Sequence, residues 1–151
     1  GMSFEDLKEA MRYGSEREYD EEDLGKFGLG LKTASMSQCQ RFSVASKTKL
    51  SMEDIPVFCW DMEHIDKTNK WEILELKEKD TIQMITAPLS SHIGTVVLWE
   101  RLDRIINFKQ PDGEAARKKL MSMCRELEEY LAMVFHKFLS GEVHGKPLEI
   151  Y

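Results

Sequence analysis

Residues 25–39 read GKFGLGLKTASMSQC, and the fold turns on how that stretch is read. Gly25, Gly28 and Gly30 fall within six positions, and a run of small and apolar residues follows. This composition predicts a glycine-rich turn feeding a helix over about 28–37. Such a turn suits an anion. Without Cβ atoms the main-chain N–H groups can approach phosphate oxygens, and the helix N-terminus adds roughly half a positive charge. Two common phosphate-binding patterns fail. G-x-x-x-x-G-K-[ST] fits the spacing of Gly25 and Gly30, but Leu31 intervenes before Lys32-Thr33. One extra residue turns a helical lysine by about 100°. G-x-G-x-x-G meets Thr33 in place of its third glycine, and no strand-like run precedes it.

Working outward, Ser3-Phe-Glu-Asp6 opens a helix, with Ser3 as N-cap and acidic residues in the first turn. Phe4, Leu7, Met11 and Ala10 recur at helical spacing, and Gly14 stops the pattern. Residues 14–25 (GSEREYDEEDLG) are polar and charged, which reads as an exposed loop. Downstream, 40–47 alternate like a strand, with Phe42 and Val44 on one face. Further strand-like runs are 57–64, 71–76, 81–86 and 94–100, separated by turn residues at Asp66, Asn69, Lys79-Asp80 and 88–91. Residues 114–140 then carry one long amphipathic pattern ending at Gly141. Leu120, Met123, Cys124, Leu127, Leu131, Val134, Phe135 and Phe138 recur in it at three- and four-residue steps. Residues 148–151 read as the start of another strand. Runs of strands rather than strict alternation predict an α+β fold.

Composition bounds the function. A chain of 151 residues and 17.6 kDa, 42% apolar, supports one domain with a core. A formal charge of −6 argues against a nucleic-acid grip spread over the surface. Arg117, Lys118, Lys119 and Arg125 read as a solvated helix face. No apolar run approaches a membrane span, and no signal peptide is seen, so a cytoplasmic location is expected. Cys39, Cys59 and Cys124 are odd in number and widely spaced, which reads as reduced thiols. His64, His92, His136 and His144 have no metal-ligand spacing, and no nucleophile–base pattern stands out.

The ordered set of a capped helix, a charged loop, the glycine box Gly25/Gly28/Gly30 and a late Gly94-Thr95 strand resembles the GHKL ATPase superfamily. That group holds gyrase B, the ninety-kilodalton heat-shock chaperone, sensor histidine kinases and the MutL proteins. The segments GTVVLWERL and YLAMVFHKFLSGEVHGKPLEIY are similar to the MORC-like bacterial branch. The resemblance implies a two-layer α/β sandwich of Bergerat type. Its sheet would be mixed or antiparallel with helices on one face, forming a single partial domain over 1–151. It implies an ATP lid over 14–27, hinged at Tyr13, Gly14 and Gly25. It implies a phosphate cradle of main-chain amides around Phe27, Gly28, Leu29, Gly30 and Leu31, with charge from Lys26 and Lys32. Thr95 would lie near the adenine, through water.

Departures from the family pattern matter equally. Met2-Ser3 falls where the motif D-x-G-x-G-M-[ST] would end, and Gly1 is either an expression scar or that motif's last glycine. The first helix and strand have no counterpart. With them go the general-base Glu, the Mg²⁺-holding Asn and the adenine-reading Asp. The expectation is therefore an N-terminally truncated ATP-binding domain with no catalytic residue and no metal ligand of its own. ATP and Mg²⁺ serve an intact relative, while this chain alone holds neither firmly. The alternative is a non-catalytic interaction or dimerisation module on the same scaffold. Expected partners are a second copy, a missing N-terminal segment or a downstream domain.

Overall fold

Strand β1, Arg41–Lys47, is buried along almost its whole length, and the rest of the first unit is built on its two sides. The computed structural model describes residues 1–14, 28–49, 55–104, 112–143 and 149–150. β1 pairs antiparallel with β2, Val57–Asp61, and with β4, Gly94–Glu100; β2 pairs with the two-residue β3, Leu74–Glu75. The order is β3-β2-β1-β4. Phe42 stands opposite Trp60 and Trp99, and Val44 opposite Phe58 and Val97. Period-two alternation therefore stacks large apolar side chains on one face.

Helix α1, Phe4–Met11, covers that face. Leu7 and Met11 enter a cluster with Phe42, Val44, Phe58 and Trp60, and Leu31 and Met36 of helix α2, Gly30–Met36, pack at its margin. Ser3 caps α1 as expected. Its hydroxyl accepts the Asp6 N–H while the Asp6 carboxylate accepts the Ser3 N–H, which satisfies two amides the helix leaves unpaired.

The opposite face carries Ala45 and Val57 against Ile85 and Leu89, with Ile82, Val96 and Leu98 alongside. Those contacts come from α4, Lys79–Thr86, and the 3-10 turn Ala87–Leu89. Residues 81–86 are thus helical, not a strand. Thr81, Ile82, Ile85 and Thr86 have strand-like propensity, but Ile82, Ile85 and Leu89 fall at helical steps, and burial follows that period. The α+β architecture with an antiparallel sheet stands, and α1 and α2 share one face; α4 adds a covering on the other.

Two further stretches differ from the sequence reading. Residues 57–64 divide at Asp61, whose carboxylate accepts the N–H of Glu63 at 2.9 Å and of His64 at 3.4 Å. That N-cap starts helix α3, Met62–Thr68, which Asn69 ends in the left-handed conformation at φ 54°. Of 71–76, only Leu74 and Glu75 pair.

The chain divides into two units, 1–105 and 106–151. In the second, the long pattern forms α5, Glu114–Val134, breaks at Phe135, and resumes as the short α6, His136–Leu139. Gly141, at φ 78°, follows the stop. Of the strand expected at 148–151, Leu148 and Tyr151 lie outside the described residues, and Glu149 and Ile150 are not in a strand.

Candidate functional site

Gly28 has φ 60°, a conformation that costs an L residue roughly 1–2 kcal/mol, and it stands two positions before α2 begins. Leu29 is the N-cap and offers no side-chain acceptor. The first amide to close a helical bond among the described residues is that of Thr33, onto Leu29 O at 2.9 Å. The amides ahead of it belong to the set that a helix start cannot pair internally. Gly30 differs from Gly28. Its backbone is ordinary, and among the described residues a Cβ placed there would meet nothing within 4 Å. Gly25, Lys26 and Phe27 lie outside the described residues.

Lys32 is buried, and its ammonium donates to Ala10 O at 2.7 Å. That carbonyl is one of the unpaired acceptors at the end of α1; the next, Met11 O, takes the Trp60 indole N–H at 2.8 Å. Lys32 therefore closes the C-terminal turn of α1, where the helix dipole favours a cation. Burial pulls its pKa below the ordinary lysine value, and the Glu9 carboxylate opposes that shift. The lysine is neither on a solvated face nor open over the glycine turn. Tyr13 is exposed, with its ring 5.7 Å from that of Trp71 and 6.5 Å from that of Trp60. Gly14 follows at φ 81°, and a Cβ there would meet nothing within 4 Å among the described residues.

Thr95, the second residue of β4, stands directly opposite Ser46. The two hydroxyls are 2.9 Å apart; Ser46 Oγ also accepts the Met2 N–H at 2.6 Å and lies 3.2 Å from Gly94 O. When Ser46 donates to Gly94 O, Thr95 must donate to Ser46, and Thr95 Oγ1 is left as an acceptor. Gly1 lies against the same strand ends, where a Cβ would stand 2.0 Å from Lys47 O and 2.9 Å from Gly94 O. No side chain fits there. The Lys47 ammonium donates to Leu89 O and Ser90 O at 2.8 and 3.1 Å. No hydrogen bond joins the Thr95 group to residues 28–32 among the described residues.

Sequence reasoning missed Ser46. The signal was present, because Ser46 lies in step with Phe42 and Val44, but its partner was visible only once β1 and β4 were in register. The opposite end of these strands carries charge instead. Arg41 approaches Asp61, Glu78 and Glu100, and Arg101, at φ 56°, holds Asp61 and Glu63. Burial pushes the Asp61 carboxyl up, but the Arg101 guanidinium and the His64 and Glu63 N–H groups together outweigh it and hold the group below its ordinary value. Among the described residues no cluster of three His, Cys, Asp or Glu side chains could hold a metal ion. None of the helices there is long and apolar enough to cross a membrane.

Residues 1–95 match the family described as histidine kinase-, DNA gyrase B- and HSP90-like ATPase. That span takes in α1, the glycine turn, three strands and the Gly94-Thr95 step. No curated protein and no solved structure matches the chain.

Proposed function

The chain belongs to the histidine kinase-, DNA gyrase B- and HSP90-like ATPase family, and on that premise we propose that it is an ATP-binding domain whose phosphate side is the turn at Gly28–Leu31. Gly30 carries this reading. It opens a helix, weakens that helix by having no side chain, and is demanded neither by its backbone angles nor by packing among the described residues. A ligand that must lie close to the main chain explains it. Amides from Phe27 to Leu31 take phosphate oxygens, and Lys26 adds charge. Lys32 is assigned to the scaffold, where it fixes α2 to the end of α1. Thr95 Oγ1, turned into an acceptor by Ser46, suits the adenine amino group through a water. Tyr13, Gly14 and Gly25 flank the lid segment.

Bound Mg²⁺ would supply charge neutralisation between phosphates, and we assign it no ligand in this chain. No residue of the 151 takes the family's general-base Glu, metal-holding Asn or adenine-reading Asp at the motif positions. The polypeptide alone is therefore expected to bind ATP weakly and not to hydrolyse it. The likeness of the segments after Gly94-Thr95 to MORC-like proteins supports a MORC-like branch as the finer reading, and a cytoplasmic location suits it.

Titration of ¹⁵N-labelled protein with ATP and Mg²⁺, followed by amide shifts, tests this. Millimolar nucleotide should move Gly28–Leu31 and Thr95 while phosphate release stays at background. Shifts confined to other residues would sink the site. Micromolar affinity with turnover would sink the weak-binding, non-hydrolysing reading.

A further inference from the structure

Helix α5 is the place where the molecule leaves most apolar surface unexplained. Of its 21 residues only Ala116 is buried. Leu120, Leu127 and Val134 are exposed, Cys124 is exposed, and Leu131 is half-buried. These five positions follow one another at steps of four, three, four and three, the spacing of a seam that packs against another helix. Cys124, Leu127 and Leu131 also line an open groove, with Leu139 and Ile150 along it. A helix of this length draws little stability from propensity alone and normally needs an apolar face covered.

The charges say what covers it. Arg117, Lys118 and Lys119 outweigh Glu114, which pairs with Lys118, in the first half of α5, and Glu126, Glu128 and Glu129 outweigh Arg125 in the second, so the first half is net basic and the second net acidic. A parallel copy would set like against like. An antiparallel copy, related by a two-fold axis beside Cys124, sets each basic block opposite an acidic one and opposes the two helix dipoles. We propose that α5 is a homodimerisation helix, pairing antiparallel with α5 of a second copy through Leu120, Cys124, Leu127 and Leu131. Leu120 faces Leu127 of the partner subunit, and the two Cys124 thiols lie within a helical turn of each other. The pairing needs no nucleotide and is independent of the phosphate site.

Cys124 makes the test direct, because Cys39 and Cys59 are buried. The full chain is sedimented without ATP and treated with a short bis-maleimide. A dimer of twice 17.6 kDa is expected, together with a crosslinked band that Cys124→Ser removes. Leu127→Glu should return the protein to monomer with its circular dichroism kept. Glu128→Lys with Glu129→Lys should weaken the dimer at least tenfold, and adding Lys118→Glu and Lys119→Glu to that variant should restore it. A monomer at all concentrations, a dimer indifferent to Leu127→Glu, a dimer without the Cys124 crosslink, or a failed charge rescue each overturns the proposal.

Discussion

Helix α1 and helix α5 carry the same kind of amphipathic signal and use it in opposite ways. In α1, eight residues suffice because Leu7 and Met11 are fully buried against the sheet and both unpaired carbonyls at its end are taken, one by Lys32 and one by Trp60. In α5, 21 residues bury a single alanine within the chain. Amphipathicity shows that a face wants covering; it does not show what the cover is. For α1 the cover is the sheet. For α5 it is the surface of a second copy on the reading above.

That contrast can be broken most sharply by truncation. Phe42→Ala, in the cluster beneath α1, should cost about 3–5 kcal/mol in urea unfolding. Leu127→Ala on the α5 stripe should cost the isolated subunit under about 0.5 kcal/mol, measured at concentrations where it is monomeric. Comparable losses at both sites would mean that α5 already has its cover within one chain.

Lys32→Met asks whether the end of α1 depends on its tertiary donors. The stem keeps its packing, and Ala10 O loses its partner. About 1–3 kcal/mol should be lost, the range for an acceptor left unsatisfied. An unchanged unfolding midpoint would mean that water or another donor replaces the ammonium.

Asp61 supports α3 and Arg101 together, and its effect should follow pH. Its folded pKa lies below the ordinary 3.8, so its contribution is complete above that value and disappears as pH falls through the lower folded value. Asp61→Asn keeps the capping oxygen and removes the charge. It should lose about 1–2 kcal/mol near neutrality and show a flatter stability profile below pH 4. Parallel acid profiles of the two proteins would remove Asp61 from the account.

The smallest effects separate the two glycines. Gly28→Ala should destabilise by about 1–2 kcal/mol because of its positive φ. Gly30→Ala should stabilise by about 0.4–1 kcal/mol, since its backbone is ordinary and no atom among the described residues stands where the Cβ would go. It should also weaken the ATP-dependent amide shifts. A stabilised Gly30→Ala with undiminished shifts would detach that glycine from ligand binding.

The capped helix at Ser3, the turn at Gly28, the strands Arg41–Lys47 and Gly94–Glu100 and the α+β class were legible from residues alone. Each rests on signals within a few positions: a hydroxyl three residues from a carboxylate, a glycine where φ turns positive, alternation with period two. The stretches 57–64 and 81–86 were not, because β-branched and apolar residues suit either a strand or a buried helix until a neighbour selects one. Asp61 made that choice by capping, and Ile85 and Leu89 by reaching the sheet.

The candidate site divides along the same line. Its glycines were readable, since a missing Cβ is visible in the letters. The Ser46–Thr95–Met2 group and the burial of Lys32 were not, because they join residues 49, 44 and 22 positions apart. Sequence by itself determined which segments could bend, cap and alternate, since those preferences act over a turn or two of chain. Only the tertiary structure decided which hydroxyls meet and where a lysine puts its charge, because strand register and helix docking bring distant residues within the roughly 3 Å reach of a hydrogen bond.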